Sequence, residues 1–443
     1  LALDCMADDL IMQSQGNGWF WGDHCYNVKS NYTSSAFRSY DVWYANYKWI
    51  ANVNYIIDAE PEMAGTEADV AYVAGQAYAI RALCYLNLAT WFSRAPYNSL
   101  TGASRWNEPC VPVYTTGTSI DTGGQPRESL RTVYGRIDQD IDRAIELLEK
   151  ARETTLAENN KSHINLYVAL GIKSRACLAE GDWDGAFKAA KRVIDEGGYA
   201  VGTKSDLTGG MNSLDKQNVM WGAGIQVADQ AGGYAGFFTH MDNKEGAYAK
   251  SAPKLISKQL YNRISATDIR RDWWDPSDKE SPYVSKKFSF ANVASFLGDY
   301  IYMRVEEMYF TAAEAALRLD DLKSARELMN TVMAERDPGY SANNRSGTLL
   351  GATTTTWTGS FLENILTHRR IELWGEYGRL FDVRRLGQGI DRRTDDGFSE
   401  ECISMMNRRN VNITKADTYD WVLTIPKAEL DANPNINEED QNP

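Results

Sequence analysis

The chain has 443 residues, which is long enough for a sizeable hydrophobic core and for more than one domain. Its net charge of −13 argues against nucleic acid and anionic lipid as partners, because both attract cationic surfaces. No window of the sequence approaches the roughly 18 to 20 apolar residues of a membrane span. The aromatic residues stand out, since 13 Trp and 24 Tyr are present and many lie among Gly, Asn and Asp.

The N-terminal segment gives expectations about processing and about the cysteines. The chain opens with LALDCMADDL rather than with Met, and we expect a processed or trimmed N-terminus. A lipoprotein cleavage site requires a small residue directly before its cysteine. Asp4 occupies that position here, so we do not expect Cys5 to be lipidated. Cys84 and Cys177 fall inside apolar helical patterns and are predicted to be buried thiols. Pairing of Cys5 with Cys25 stays open, and so does the redox compartment.

Residues 16–26 read GNGWFWGDHCY and show neither helical nor strand periodicity. Trp19 and Trp21 are large apolar groups for a segment that is otherwise typical of a loop. Trp is highly buried on average, so the two side chains could belong to the core. An exposed indole, however, offers a flat apolar face for a ligand. Both readings stay open at this point.

Helical periodicity dominates the rest of the chain. Apolar residues recur every three or four positions over 73–91, 130–148 and 301–319, which predicts amphipathic helices with one face on the core. Ser360 and Glu363 form a capping-box pair at the start of another helix. A similar core-facing stripe, mostly aromatic, is predicted on an earlier helix. It consists of Phe37, Tyr40, Tyr44, Tyr47 and Ile50.

The sequence contains an internal repeat. ACLAEGDWDGAFKAAKRVID (176–195) aligns with AALRLDDLKSARELMNTVMA (315–334), and both predict a helix, a short acidic turn and a second helix. Ala186 and Ala325 take equivalent positions where two helices must approach closely. This pattern is typical of tetratricopeptide-like repeats. The two copies are about 140 residues apart, so the repeats do not form a continuous solenoid.

These patterns predict a mostly α-helical protein that forms one compact unit over residues 1–443. We expect a scaffold of helical repeats within 36–197 and 300–390. The remaining regions are rich in Gly, Asn, Asp, Ser and Thr, and long loops of this kind are usually functional. The loop-rich regions expected to face a ligand are 1–35, 198–299 and 337–359, with a C-terminal tail over 391–443.

The motifs of the common catalytic and metal sites are absent from the sequence. There is no P-loop, no GxSxG elbow and no HExxH, and GNG at 16–18 lacks the context of a dinucleotide fingerprint. A glycosidase needs two carboxylates at a defined separation across a cleft. Paired acids occur at Asp8–Asp9, Glu306–Glu307 and Asp395–Asp396, but most such acids are solvated, so we expect no catalytic residue. No metal ion and no cofactor are predicted.

The most specific stretch is HRRIELWGEYGRLFDVRRLG, residues 368–387. Glu372, Glu376 and Arg379 are spaced i, i+4 and i+7, which places them on one face of a predicted helix. Arginines and acids alternate here with Leu, Trp and Phe. This alternation predicts a partly buried ion-pair network, for which a structural role is favoured over a catalytic one.

This stretch resembles the C-terminal signature ER..EL..EG.R..DLRR.G of SusD/RagB-type outer-membrane lipoproteins, which are glycan-binding proteins of Bacteroidetes. His368 is a departure, because the family often has an acid there. WYANYKWIANVNYII (43–57), AIRALCYLNLATWFSRAPY (79–97) and YIYMRVEEMYFTAAEAAL (300–317) are similar to further family segments in the same order, and the chain closes on a similar IPKAELDANPNINEEDQNP. The matching positions of the signature are Arg370, Glu372, Leu373, Glu376, Arg379, Asp382, Arg384, Arg385 and Gly387.

The resemblance implies a mostly α fold of tetratricopeptide-like repeats (SusD-like) with a loop-rich, irregular half packed on them. It also implies a non-catalytic cell-surface protein of the outer membrane, lipid-anchored upstream of this chain's start. Such a protein captures oligosaccharides or polysaccharides and delivers them to a TonB-dependent, SusC-like transporter. Three alternatives stay open, namely a peptide-capturing member of the same family, an α-helical glycoside hydrolase or lyase, and a repeat scaffold that binds only protein.

The resemblance implies ligand contacts from two loops, here 8–35 and about 263–296. A Trp ring can stack on the apolar face of a pyranose, and polar side chains at the ring edge can take its hydroxyls. Neighbouring residues cannot both face one ligand, so we expect Trp273 or Trp274 to be a core residue. The candidate ligand-binding residues are Trp19, Trp21, Asp23, His24 and Asn27 in the first loop, and Trp273, Trp274 and Tyr283 in the second.

Overall fold

The computed structural model describes residues 1–16, 18–27, 37–154, 156, 160–227, 235–416 and 418–443. Half of the residues are helical, which confirms the predicted mostly α fold. None of the helices in these ranges is both long enough and apolar enough to cross a membrane. The helices are α1 (Ala2–Met6), α2 (Trp21–His24), α3 (Phe37–Ala59), α4 (Glu67–Phe92), α5 (Leu130–Lys150), α6 (Leu166–Glu180), α7 (Trp183–Glu196), α8 (Lys204–Leu207), α9 (Phe237–Met241), α10 (Ala247–Ser251), α11 (Lys258–Tyr261), α12 (Val305–Arg318), α13 (Leu322–Ala334), α14 (Phe361–Glu372), α15 (Arg379–Leu386), α16 (Glu400–Arg408) and α17 (Lys427–Ala432).

Short strands form two small antiparallel sheets. In the first sheet the spatial order is β1, β3, β5 and β4, and in the second β2 pairs with β6. The register of the longest pair places Val219 opposite Arg304 and Ala223 opposite Tyr300. The strands are β1 (Leu10–Met12), β2 (Val219–Ala223), β3 (Lys254–Ile256), β4 (Trp274–Asp275), β5 (Val284–Ser285) and β6 (Tyr300–Arg304).

Backbone contacts group the residues into two compact units, each assembled from three segments of the chain. The helical unit comprises Tyr26–Ala189, Arg384–Gly387 and Asp417–Pro443. The mixed unit comprises Leu1–Cys25, Ala190–Val383 and Gln388–Ala416, and it holds both sheets. The organisation expected from the sequence, one compact unit with its scaffold and loop-rich ranges, stays a prediction.

The helical unit is built from α3, α4, α5 and α6, each of which packs against the next along the chain. Thr66, Ser129 and Asn165 begin α4, α5 and α6, and the side chain of each accepts a hydrogen bond from a backbone N–H of the first turn. Such caps satisfy amide groups that have no partner within the helix. The helices predicted over 73–91 and 130–148 lie inside α4 and α5.

The aromatic stripe of α3 does not face the core, contrary to the prediction. Phe37 is 53% exposed, Tyr40 38% and Tyr44 52%. Ile50, the last member of the predicted stripe, is buried as predicted, but Trp43 and Asn54, which lie outside that stripe, are buried as well. The core-facing side of α3 is therefore displaced from the predicted stripe, and several aromatic rings are left on the outside.

The internal repeat has the same turn geometry in both copies. Gly181, after α6, and Asp320, after α12, are equivalent positions, and their φ angles are 78° and 61°. The next residue in each copy, Asp182 or Asp321, accepts a hydrogen bond from a backbone nitrogen of the following helix at 3.0 Å. The predicted pair of helix–turn–helix motifs is thus present as α6–α7 and α12–α13.

The helix predicted over 301–319 begins later than expected. Residues Tyr300–Arg304 form strand β6, which is hydrogen-bonded to β2, and α12 begins only at Val305. Arg304 adopts an extended conformation with φ −126° and ψ 152°. Pairing with β2 therefore overrides the helical periodicity over these residues.

The C-terminal signature is interrupted by two glycines, so Glu372, Glu376 and Arg379 do not share one helix face. Helix α14 ends at Glu372, and α15 begins at Arg379. Between them Gly375 and Gly378 have φ angles of 73° and 86°, a region that glycine adopts without steric cost. This turn ends the predicted helix.

The predicted ion-pair network is nevertheless present, and its centre is completely buried. Glu372 accepts hydrogen bonds from Arg270, Arg304 and Arg336 at about 3.0 Å. Glu376 accepts from Arg304 Nε at 2.7 Å. Although burial opposes ionisation, the guanidinium groups of Arg336 and Arg304 hold the pKa of Glu372 well below its usual range.

The acid pairs are largely buried, contrary to the expectation that they are solvated. Asp8 and Asp9 are both within 4 Å of Arg370 and Arg379. Glu306 and Glu307 are also buried. Arginine partners make this burial possible, because each supplies several donors to a carboxylate. In the last pair Asp395 is exposed, whereas Asp396 is buried.

All six cysteines are free and buried, so Cys5 and Cys25 are not joined. Burial raises the pKa of the Cys84 thiol to about 12, and that of Cys5 to about 12 as well. Both thiols therefore stay protonated at neutral pH. The predicted burial of Cys84 and Cys177 is confirmed.

Candidate functional site

Trp19 is the exposed member of an aromatic cluster in the mixed unit. Its side chain is 39% exposed, and its ring centroid lies 5.3 Å from that of His240 and 5.6 Å from that of Tyr248. The rings of His240 and Tyr248 are stacked on each other at 4.7 Å with an angle of 10°. Phe20 contacts His240 edge-on at 5.0 Å. We call Trp19, Phe20, His240 and Tyr248 the Trp19 platform.

The tight connection between α9 and α10 positions the two supporting rings. His240 belongs to α9 and Tyr248 to α10. Asp242 Oδ1 accepts hydrogen bonds from the backbone N–H groups of Lys244 and Glu245, each at 3.0 Å. A Cβ on Gly246 would lie 2.5 Å from a backbone oxygen of α9, so only glycine allows the two helices to approach this closely.

Three other candidates of the first loop are buried. Trp21, Asp23 and His24 all belong to the short helix α2 and are at most 3% exposed. The His24 ring stacks on Phe398 at 5.6 Å, and its Nδ1 lies 3.0 Å from the carbonyl oxygen of Cys5. Side chains packed in this way offer no face to a ligand, because the cluster around them already covers them.

The remaining part of the first loop contributes little to the described structure. Asn27 is half-buried and belongs to the helical unit, whereas Trp19 belongs to the mixed unit. Residues 28–35 of the predicted ligand-facing region lie outside the described residues, as does Asn17. In the region 198–299, residues 228–234 also lie outside them.

Both tryptophans of the second loop are core residues, although only one was expected to be. Trp273 is 3% exposed and donates from Nε1 to the carbonyl oxygen of Leu207 at 2.9 Å. Lys287 Nζ lies 4.5 Å from the centroid of the Trp273 ring. Trp274 is 1% exposed and packs edge-on against Trp374 at 5.7 Å. Neither ring is accessible from outside.

Tyr283 keeps part of its surface accessible. It is half-buried, its φ angle is 70°, and its ring lies 5.1 Å from that of Tyr261. Its backbone N–H donates to the carbonyl oxygen of Asp275 at 2.7 Å, which fixes the turn between β4 and β5. Of the eight candidates, Trp19 is thus the most exposed, whereas Tyr283 and Asn27 are partly accessible.

A second aromatic feature lies in the helical unit, where the sequence predicted only core packing. Tyr40, Tyr44 and Tyr47 of α3 line a groove with a volume of about 580 Å³. Tyr114 lines it from the segment between α4 and α5, and Glu429 of α17 closes it. Burial raises the pKa of both Tyr47 and Tyr114 above the usual value, so their hydroxyls stay protonated. We call this feature the α3 groove.

The described residues contain no group of three or more His, Cys, Asp or Glu side chains that could hold a metal ion. The platform and the groove are instead built from aromatic rings with polar groups at their edges. Such surfaces bind by stacking and hydrogen bonding rather than by coordination.

Comparisons with known proteins place the chain in a family. A family model described as the SusD family matches residues 244–443. A second model, described as "Starch-binding associating with outer membrane", matches residues 4–178. The two matches together leave out only residues 1–3 and 179–243. No protein with a curated description matches the sequence.

Solved structures agree with the family models. A SusD-like carbohydrate binding protein from Bacteroides vulgatus has 25% identity and a TM-score of 0.77, over 99% of this chain and 91% of that chain. A SusD superfamily protein from Bacteroides thetaiotaomicron has 23% identity and a TM-score of 0.78, over 100% and 94%. Surface glycan-binding protein A from Bacteroides thetaiotaomicron, solved in complex with laminarihexaose, has 16% identity and a TM-score of 0.68, over 100% and 93%. The last two likenesses show the shared fold alone. The chain belongs to the SusD family.

Proposed function

We propose that this chain is a non-catalytic binding protein of the cell surface that captures oligosaccharides and delivers them to a TonB-dependent, SusC-like transporter. The exposed Trp19 ring, supported by the His240–Tyr248 stack, carries the proposal. It lies in the first of the two loops from which the family resemblance implies ligand contacts. The name of the Bacteroides vulgatus relative, a SusD-like carbohydrate binding protein, supports the same ligand class.

The Trp19 platform has the physical properties that sugar capture needs. One face of a pyranose presents C–H groups, and a flat indole can cover it with little loss of conformational entropy. The supporting rings fix the indole before the ligand arrives, and such preorganisation increases affinity. Uptake also requires release, so we expect a modest affinity from one exposed tryptophan rather than a deep enclosure.

The proposed location and partner rest on the family. The description of the second family model includes association with the outer membrane. We place the protein at the outer face of that membrane, held by an N-terminal lipid anchor that precedes this chain. The transporter would receive the glycan directly from the bound state.

The buried acid pairs favour binding over hydrolysis. Asp8 and Asp9 are held by Arg370 and Arg379, and Glu306 pairs with Arg336 at 2.8 Å. A glycosidase needs one carboxylic acid that protonates the leaving oxygen and a second carboxylate at the sugar. Acids buried against arginine cannot reach a substrate.

Isothermal titration calorimetry with a panel of soluble oligosaccharides and peptides tests the proposal. We expect Trp19→Ala to weaken oligosaccharide binding at least tenfold while the protein stays folded. Trp49→Ala is the matched control, because Trp49 is 52% exposed on α3 and does not line the α3 groove. Binding to peptides alone would favour the peptide-capturing branch of the family. Newly released reducing ends would favour the hydrolase.

A further inference from the structure

Two tyrosines on successive turns of α3 form an exposed, ordered pair of rings. The centroids of Tyr40 and Tyr44 are 5.6 Å apart, and the rings are inclined by only 9°. The two side chains are 38% and 52% exposed, and their hydroxyls make no hydrogen bond to the other described residues. The pair presents an apolar surface with polar tips to the α3 groove.

The floor of the groove is held rigidly. Trp43 packs edge-on against Phe92 of α4, with centroids 4.9 Å apart at 88°. Tyr47 donates from its hydroxyl to the carbonyl oxygen of Pro112 at 2.8 Å, and its ring meets Tyr114 at 90°. These contacts join the floor of the groove to α4 and to the segment between α4 and α5, so packing within the protein fixes its shape.

Hydrogen-bond donors and hydrogen-bond acceptors both lie at the edges of the rings. Glu429 Oε2 accepts a hydrogen bond from Trp43 Nε1 at 3.2 Å, which fixes the carboxylate beside the aromatic floor. Lys48 Nζ lies 5.8 Å from the centroid of the Tyr44 ring. The hydroxyls of Ser119 and Thr122 line the groove as well. The groove therefore combines hydrogen-bond donors and acceptors with apolar ring faces.

We infer that the α3 groove is a second carbohydrate-binding site, in addition to the Trp19 platform; the ligand class rests on the proposed function. A sugar ring combines an apolar face with outward hydroxyls, and it needs aromatic surfaces bordered by donors and acceptors. The volume of about 580 Å³ lies within the range of small-ligand pockets.

The charges of the groove narrow the ligand further. Among the described residues that line it, the charged side chains are one lysine, Lys48, and one glutamate, Glu429. Such a balance suits an uncharged ligand, whereas phosphate groups attract clusters of basic residues. A purely hydrocarbon ligand would take the Glu429 carboxylate and the Lys48 ammonium out of water and offer neither of them a hydrogen bond, which is costly. Neutral oligosaccharides satisfy both conditions.

The test uses the whole chain and two neutral hexasaccharides, laminarihexaose and maltohexaose. Calorimetry gives the number of sugar molecules bound per protein. A trisaccharide of each series is measured as well, because it is too short for one sugar molecule to occupy both sites at once. Variants are Tyr40→Ala/Tyr44→Ala for the groove, Trp19→Ala for the platform, and Trp49→Ala as an exposed aromatic control on the same helix. Tyr44→Ser alone repeats the groove test at the more exposed of the two positions. Circular dichroism checks that each variant is folded.

We expect two sites for a recognised sugar in the wild type and in Trp49→Ala. One site should be lost, or weakened at least tenfold, in the groove variants, and the other in Trp19→Ala. Unchanged stoichiometry and affinity in both folded groove variants would overturn the inference, whether or not Trp19→Ala confirms the proposed function. The inference would also be overturned if the groove variants bound sugar normally and lost only their association with the co-expressed transporter. If Trp19→Ala keeps both sites, the Trp19 platform is not a sugar-binding site, whereas the inference about the α3 groove is unaffected.

Discussion

Arg81 donates two hydrogen bonds to Asp140, from Nε at 2.8 Å and from Nη2 at 2.7 Å, and both side chains are almost completely buried. The remaining nitrogen, Nη1, donates to Asn54 Oδ1 at 2.7 Å. Asn54 in turn donates to the carbonyl oxygens of Tyr114 and Thr116. One buried ion pair thus connects α4 and α5 with α3 and with a wall of the α3 groove.

Replacing Asp140 by Asn should therefore destabilise the protein strongly. The substitution leaves the Arg81 guanidinium buried without its counter-charge, and breaking such a pair typically costs ~3–5 kcal/mol. Urea unfolding measures the change in the free energy of unfolding. Glu146→Gln on the same helix is the control, since Glu146 pairs with Arg143 and Lys150 at the surface, where ion pairs contribute little. Equal effects of the two substitutions would contradict the proposed role of the buried pair.

Asp396 should make the stability of the protein fall as the pH rises. Burial, together with the nearby carboxylates of Asp8 and Asp9, raises the pKa of Asp396 from 3.8 to about 7. The folded state therefore keeps a proton that the unfolded state has already lost between pH 3.8 and about 7. Because the folded state binds more protons in this window, this group's contribution to the free energy of unfolding decreases with pH, by up to ~4 kcal/mol.

The variant Asp396→Asn removes this titration. Asn keeps an oxygen that can accept the hydrogen bond from the backbone N–H of Gln259, now 2.6 Å long. We expect the variant to be more stable than the wild type at pH 8 and nearly equal to it below pH 4, in urea unfolding followed across the pH range. Asp395→Asn, at the exposed neighbouring position, should leave the pH profile unchanged. A profile of Asp396→Asn parallel to that of the wild type would refute the assignment.

Gly387, the last position of the C-terminal signature, should not tolerate a side chain. Its φ angle is 75°, and a Cβ would lie 2.1 Å from Oδ1 of the buried Asn98. That oxygen already accepts from the backbone N–H groups of Leu100 and Thr101, each at 2.9 Å, so it cannot simply move away. We expect Gly387→Ala to lower the free energy of unfolding by roughly 2–4 kcal/mol, from backbone strain and overpacking together.

Gly102→Ala separates the two causes. Gly102 has a similar φ of 72°, but no atom lies within 4 Å of the place of its Cβ. This control should lose only the ~1–2 kcal/mol of the left-handed backbone conformation. Chemical denaturation of both variants gives the difference. If Gly387→Ala lowers the free energy of unfolding no more than Gly102→Ala does, Asn98 moves aside for the new Cβ at little energetic cost.

The fold could be predicted well because it depends on patterns that repeat over many residues. The helical periods of α4 and α5 and the internal repeat with its acidic turn are local features. The ends of elements were harder. The glycines at 375 and 378 were visible in the sequence, but their positive φ angles depend on the packing around the turn. Likewise β6 forms only because β2 pairs with it, and β2 is distant in sequence.

The orientation of α3 shows why the site was harder to predict than the fold. At about 100° per residue, the residues that are actually buried, Ser39, Trp43 and Asn46 among them, form a stripe displaced from the predicted one. Ser39, Asn46 and Asn54 are polar, so hydrophobicity alone pointed to the tyrosines. Asn54 is tolerated in the core because Arg81 and two carbonyl groups satisfy it. That network joins residues far apart in the sequence.

Trp19 and Trp21 should show opposite phenotypes although only one residue separates them. Trp21 is 3% exposed, so Trp21→Ala removes buried surface and leaves a cavity, at a cost of ~3–5 kcal/mol in the free energy of unfolding. Trp21→Phe should recover much of this loss, because Trp21 Nε1 has no hydrogen-bond partner among the described residues. Trp19→Ala should change stability little and weaken glycan binding at the Trp19 platform instead, because its ring is exposed. Urea unfolding and calorimetry on the three variants measure both properties. A large loss of stability in Trp19→Ala would show that this ring has a structural role in the core. It would also remove the main support for the Trp19 platform as the capture site.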